Sequence, residues 1–157
     1  MLAIFWHSRT GAARSLAEAV HRGAGNASRL IFAPDAGPQD LLDADGYVFA
    51  CPENLGTMSG LMKDMFDRCY YPLLGRIEGR AYATVIAAGS DGQGAQAQID
   101  RLVTGWRLRR VSPPLIVNLG AQSPEEILAE KIVDAGSLET CRELGQALAE
   151  GLSMGMF

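Results

Sequence analysis

Basic charge is scarce in this sequence. Fourteen Lys and Arg stand against eighteen Asp and Glu, for a net charge of −4 at pH 7. That balance offers no electrostatic footprint for nucleic acid or an anionic membrane, so neither is expected as a partner. Long apolar runs are missing too: no stretch approaches the ~18 apolar residues that span a bilayer, so membrane insertion is not expected. The first residues lack a basic n-region and the first apolar run breaks at His7, so no signal peptide is expected. Cysteines are few: Cys51, Cys69 and Cys141 form no CxxC and have no nearby His, which argues against a metal site. They read as reduced, packed thiols of a soluble cytoplasmic protein.

What is present is enough for a real core. Nearly half of the 157 residues are hydrophobic, and one domain spanning 1–157 is the default at this length. The pattern alternates strands and helices. Leu2 to Trp6 is apolar without alternation, which predicts a strand buried on both faces. The spacing of Ala13, Leu16, Ala17 and Val20 predicts a helix ended by Gly23 and Gly25. Ser28 to Phe32 reads as a second strand, Pro34 to Asp45 as a turn-rich crossover, and Gly46 to Cys51 as a third strand stopped by Pro52. A loop from Glu53 to Thr57 follows. Ser59 can cap the next helix, which buries Met62, Met65, Phe66 and Cys69 and is closed by Tyr70, Tyr71 and Pro72. Arg80 to Ala88 is the fourth strand, Ala95 to Trp106 a helix and Pro114 to Asn118 the fifth strand. Ser123-Pro124-Glu125-Glu126 predicts a short capped helix, and Leu138 to Leu152 the last one. Such alternation means a parallel sheet covered on both faces.

Three loops that follow strands carry the chemistry, because ligands of open parallel sheets sit outside the carboxyl ends of the strands. The first is Ser8-Arg9-Thr10-Gly11-Ala12-Ala13, a tight turn into a helix. There, unpaired backbone N–H groups and the positive helix end converge, with two hydroxyls beside them, as an anion such as phosphate requires. Helix capping by Ser8 or Thr10 accounts for the same residues equally well. The second loop, Pro52-Glu53-Asn54-Leu55-Gly56-Thr57-Met58-Ser59-Gly60, pairs a strand-ending proline with glycines that permit close backbone approach. The third, Gly89-Ser90-Asp91-Gly92-Gln93-Gly94, has more glycine than a plain turn needs.

Taken together in this order, the three loops resemble those of the flavodoxin-like family of FMN proteins, in particular its NAD(P)H-dependent FMN and quinone reductase branch. Ser8, Thr10 and Gly11 match that family's Ser-x-Thr-Gly phosphate loop. Pro52, Gly56, Ser59, Gly60, Lys63, Phe66, Asp67 and Arg68 match its second motif without a gap, and Gly89 to Gly94 its third. The resemblance implies a doubly wound five-stranded α/β sheet of order 2-1-3-4-5 with helices on both faces. It assigns Ser8, Arg9, Thr10, Gly11 and Ala12 to the FMN phosphate. Pro52, Glu53, Asn54, Leu55, Gly56 and Thr57, with Gly89, Ser90, Asp91, Gly92 and Gly94, go to the isoalloxazine ring. Glu53 and Asn54 depart from the aromatic or Thr-Tyr pair of the family, which leaves the stacking of the ring open. Arg9 and Arg14 are equally compatible with phosphate and with solvent.

The activity implied is transfer of reducing equivalents from NADPH or NADH to a quinone or similar small acceptor, with no catalytic acid, base or nucleophile and no metal. The alternative is a flavodoxin-like electron carrier docking on redox partners. Carriers of that kind are strongly acidic and sandwich the ring between aromatics, whereas this chain is only mildly acidic and has no aromatic in either ring loop. A relative that has lost FMN is a third possibility, and a homo-oligomer stays open. Gly92-Gln93-Gly94-Ala95-Gln96-Ala97 fits a G-x-G-x-x-A dinucleotide fingerprint, but it follows the fourth strand and no acid stands ~20 residues on. A receiver domain would need Asp where Cys51 and Pro52 stand, and a small phosphatase would need a cysteine in the first loop. His7, Cys51 and the Met-rich third helix read as structural. Trp106 with Arg107, Arg109 and Arg110 reads as a solvated basic edge rather than a 2′-phosphate grip, and Tyr70 and Tyr71 as a substrate wall or a dimer contact.

Overall fold

A computed structural model describes all 157 residues. Its elements are β1 (Leu2–Trp6), α1 (Ala12–Ala24), β2 (Ser28–Phe32), α2 (Pro38–Leu42), β3 (Gly46–Asn54), β4 (Thr57–Met58), α3 (Gly60–Leu73), β5 (Ala81–Ala88), α4 (Gln93–Gly105), β6 (Arg109–Arg110), β7 (Leu115–Asn118), α5 (Pro124–Leu128) and α6 (Ala135–Ser153). The main strands are parallel in the order β2-β1-β3-β5, and both β6 and β7 pair with β5 at the far edge. This is the flavodoxin-like order 2-1-3-4-5, with the fifth strand in two pieces. The break falls at Val111-Ser112-Pro113-Pro114, where consecutive prolines lack the N–H groups a ladder needs.

The strands are buried on both faces, and residues alternate between two cores. Ala3, Phe5, Tyr47, Phe49 and Cys51 face α3 and α4, while Leu2, Ile4, Val48 and Ala50 face α1 and α6. The two faces differ in grain. Rings fill the first, with Phe5 against Phe49, Phe49 against Phe66 and Phe66 against Trp106 at centroid distances of 5.9, 5.0 and 5.5 Å. Small residues fill the second, where α1 and α6 approach closely. A Cβ on Gly145 would lie 1.9 Å from the Val20 carbonyl oxygen, and one on Gly23 would lie 1.8 Å from that of Arg142. Gly23 therefore sits inside α1 as a packing residue, and Gly25, in a left-handed conformation, ends the helix.

Several boundaries differ from the expectation. β3 runs through Pro52 to Asn54 rather than stopping at Pro52, which pairs with Ala87 of β5. Pro52 lies beyond the last β1 partner, Ala50, so its missing N–H costs no ladder bond. The expected loop from Glu53 to Thr57 is instead a hairpin, with Asn54 opposite Thr57 and Glu53 opposite Met58. Its two-residue turn has Leu55 at φ 54° and Gly56 at φ 75°, the positive pair that such turns require. Tyr70, Tyr71 and Pro72 lie in the last turn of α3, where Pro72 follows a turn already formed. Trp106 is fully buried and donates its indole N–H to the Tyr70 carbonyl at 2.9 Å. Of the arginines after it, Arg110 pairs with Asp100 and lies 4.9 Å over the Tyr82 ring, whereas Arg107, paired with Glu78, and Arg109 are exposed. No helix is long and apolar enough to cross a membrane.

Candidate functional site

The carboxyl ends of β1, β3, β5 and β7 open onto one cleft of about 300 Å³. Its first wall is the turn between β1 and α1. Gly11 caps α1 at φ 98°, a conformation a side chain resists, and donates its N–H to Ser8 Oγ at 3.1 Å. The Ser8 hydroxyl therefore holds the turn rather than the end of the helix. The backbone N–H groups of Arg9, Thr10, Ala12, Ala13 and Arg14 donate to nothing in the chain. Free donors grouped at the positive end of a thirteen-residue helix suit a phosphate.

The second wall is the β3–β4 hairpin, and its position is set by Glu53. The Glu53 carboxylate accepts from Gly92 N–H at 2.8 Å and Ala95 N–H at 3.0 Å, so it occupies the N-terminus of α4. Gln98 adds a second clamp by accepting from Met58 N–H at 2.9 Å. Gly94 permits the contact, since a Cβ there would lie 1.9 Å from the Gly56 carbonyl oxygen. The dinucleotide-like glycines thus serve a hairpin, and the seat a pyrophosphate would take at α4 is filled by the chain's own carboxylate. Leu55, at the hairpin tip, is entirely exposed.

Ser8, Arg9, Thr10, Ala12, Pro52, Glu53, Asn54, Leu55, Gly56, Gly89 and Ser90 all line the cleft. Gly11, Thr57, Asp91, Gly92 and Gly94 do not. Gly11 and Gly92 are left-handed caps, and Gly94 faces the back of the hairpin. The Thr57 hydroxyl donates within its own hairpin, and Asp91 accepts from Gln93 N–H in its own turn. Ala13, Ala87, Ala88, Leu119, Ala121, Ile127 and Lys131 line the cleft as well. Leu119 and Ala121 follow the fifth strand, whose carboxyl end shares the same sheet edge, so the topology carried the signal for them. Ile127 and Lys131 had none, because α5 and the stretch after it return to the β1 turn only in three dimensions. Lys131 N–H donates to the Thr10 carbonyl at 2.8 Å.

Residues outside the cleft also acquire clear roles. Ser59 stands at the N-cap of α3, yet its hydroxyl makes no cap bond and meets His7 Nδ1 at 2.8 Å. Burial holds the His7 pKa below its ordinary value. The Cys51 thiol, fully buried below the hairpin, is pushed up to about 12 by burial and is no nucleophile at neutral pH. Lys63 pairs with Asp67 on the surface, and Arg68 donates to carbonyls at Ala33 and Pro34, so these motif residues brace the fold.

The model of one protein family, NADPH-dependent FMN reductase, matches residues 36–122, which include β3, the hairpin, β5 and the glycine-rich turn. The chain belongs to this family. It is also 29% identical over 164 residues to a flavodoxin of Aquifex aeolicus (strain VF5), covering 96% of this chain and 86% of that one. In fold it is similar to a flavodoxin from the domain Archaea, with a TM-score of 0.76 and 18% identity over 98% of this chain and 99% of that one. It is similar too to a WrbA-like flavodoxin from Agrobacterium tumefaciens, with a TM-score of 0.73 and 22% identity over 98% and 97%. The chain is thus an FMN-binding, flavodoxin-like flavoprotein of oxidoreductase or electron-transfer type.

The cleft fits FMN by its donor set. One end groups free backbone N–H donors at a helix start for the phosphate. The other offers uncharged backbone from the hairpin tip and the N–H groups of Gly89 and Ser90, neither of which donates within the chain.

Proposed function

We propose that this member of the FMN reductase family carries reducing equivalents from NADPH or NADH to a quinone or similar small acceptor, acting in the cytoplasm as one functional unit. The observation that carries this reading is the composition of the cleft wall, in which small residues stand beside the aliphatic Leu55, Leu119 and Ile127 and there is no aromatic side chain. A ring bound between the hairpin and the Gly89–Ser90 turn would keep an open face for a nicotinamide and then for an acceptor. Bound FMN supplies the chemistry of accepting a hydride and passing electrons on. The chain's own residues bind and orient it. The β1–α1 turn would hold the phosphate through free N–H groups and the Thr10 hydroxyl, and Asn54 to Gly56 with Gly89 and Ser90 would set the ring edge. Glu53 fixes the separation of those two segments. No side chain of the cleft is placed as an acid, base or nucleophile, and hydride transfer needs none.

Titration of the purified protein with FMN, followed anaerobically by NADPH and then NADH, tests the proposal. Stoichiometric binding with fast bleaching of flavin absorbance is expected, with recovery on addition of a quinone. Binding without bleaching by either nucleotide would favour a second reading, a one-electron carrier, which the likeness to the Aquifex flavodoxin supports. Failure to bind FMN would overturn both.

A further inference from the structure

We propose that Lys131 is a phosphate-selecting residue, which makes the cleft prefer FMN to riboflavin. The proposal rests on the FMN reading above and goes beyond the phosphate turn that reading uses.

The backbone at Lys131 lies against that turn. Its N–H donates to the Thr10 carbonyl at 2.8 Å, and its own carbonyl oxygen is 3.8 Å from where a Cβ on Gly11 would stand. The residue lines the cleft together with Ser8, Arg9 and Thr10. The ammonium is held by neutral groups, the carbonyls of Glu126, Ile127 and Ala129, at the end of α5. No carboxylate forms an ion pair with it. The nearby Glu126 carboxylate is occupied by the N–H groups of Gln122 and Ser123 at the start of α5. A positive charge without an ion pair is therefore carried at the end of α5 by a cleft-lining residue whose backbone abuts the turn of free N–H donors.

The other charged groups of the wall sharpen the assignment. Arg9 is the second cation, and Glu53 is tied to the α4 N-terminus at the opposite side. Both cations among the cleft-lining residues, Arg9 and Lys131, thus belong to or abut the β1–α1 turn, and the one carboxylate among them, Glu53, belongs to the hairpin. A dianionic phosphate gains from this field, whereas a neutral ribityl hydroxyl, which is what riboflavin offers there, does not. A lysine acts here as a point charge, so the contribution depends on charge and weakens with salt.

Dissociation constants for FMN and riboflavin, measured by quenching of flavin fluorescence in low and high salt, test this in the wild type, Lys131→Met and Lys131→Arg. The backbone bond to Thr10 survives either substitution. The expected result is an about ten-fold loss of FMN affinity in Lys131→Met, about 1.4 kcal/mol, with riboflavin affinity unchanged within two-fold. A flatter salt dependence for FMN and recovery of most of the affinity in Lys131→Arg are also expected. If FMN and riboflavin weaken together, or neither changes, Lys131 only terminates α5 and the proposal is overturned. A wild type that binds neither flavin would overturn the FMN reading itself, an outcome distinct from any behaviour of the variants.

Discussion

Replacing Glu53 by Ala should loosen the ring side of the cleft without touching the core. The side chain is partly buried and accepts two backbone N–H bonds, at 2.8 and 3.0 Å, from the first turn of α4. A hydrogen bond to a charged group contributes about 1.5–3 kcal/mol, and a carboxylate at a helix N-terminus adds about 0.3–1 kcal/mol through the helix dipole. These contributions overlap, since one carboxylate makes them all, and the Gln98 clamp on Met58 remains. A loss of about 2–4 kcal/mol is therefore expected in urea unfolding of the FMN-free protein. For a domain of this size that corresponds to a drop of roughly 5–15 °C in Tm. Glu53→Gln, which keeps one acceptor oxygen but turns an NH2 group toward a donor, should fall between wild type and Glu53→Ala. Amide exchange at Gly92 and Ala95 should accelerate in the variant ahead of exchange in β3 and β5. A Glu53→Ala protein within about 0.5 kcal/mol of wild type, with both amides still protected, would refute the clamp.

Two further outcomes follow from the packing and from burial. Gly145→Ala places a methyl group 1.9 Å from the Val20 carbonyl, so α6 must move off α1; a loss of about 3 kcal/mol by chemical denaturation is expected, and an unchanged midpoint would show that the two helices do not pack as closely as described. His7, whose pKa burial lowers, favours the neutral form when folded. Its contribution is therefore whole above the unfolded value of about 6.5 and is lost as pH falls through the lower folded value. Unfolding midpoints compared between pH 7.5 and 5.5 should fall more steeply in the wild type than in His7→Gln, and parallel pH dependences would count against this account.

Much of the fold was legible because the signals are local. A non-alternating apolar run followed by a helical face makes a β-α unit wherever it occurs, and β1, β2 and β5 lie within a residue of expectation. The capping box at Ser123 and Glu126 formed as its spacing predicts. Strand ends were less legible where a neighbour decides them. Pro52 continues β3 because β1 has already ended, and the Glu53 to Thr57 stretch becomes a hairpin despite the strained φ of Leu55. That strain, of order 1–2 kcal/mol for a non-glycine residue, is offset where Glu53 and Gln98 hold the hairpin against α4.

By itself, the sequence determined the alternation of strands and helices, the side of the sheet where loops gather, and the chemical type of those loops. These depend on periodicity and on glycine, proline and hydroxyl residues a few positions apart. Only the tertiary structure decided which loop residues line the cleft and which hold it together. Glu53 meets α4 across 42 positions, and Lys131 returns to Thr10 from the far end of the sheet. Such contacts leave no local pattern, because the partner of a carboxylate such as that of Glu53, or of a loop N–H such as that of Lys131, is fixed by how elements pack and not by what stands beside it in the chain.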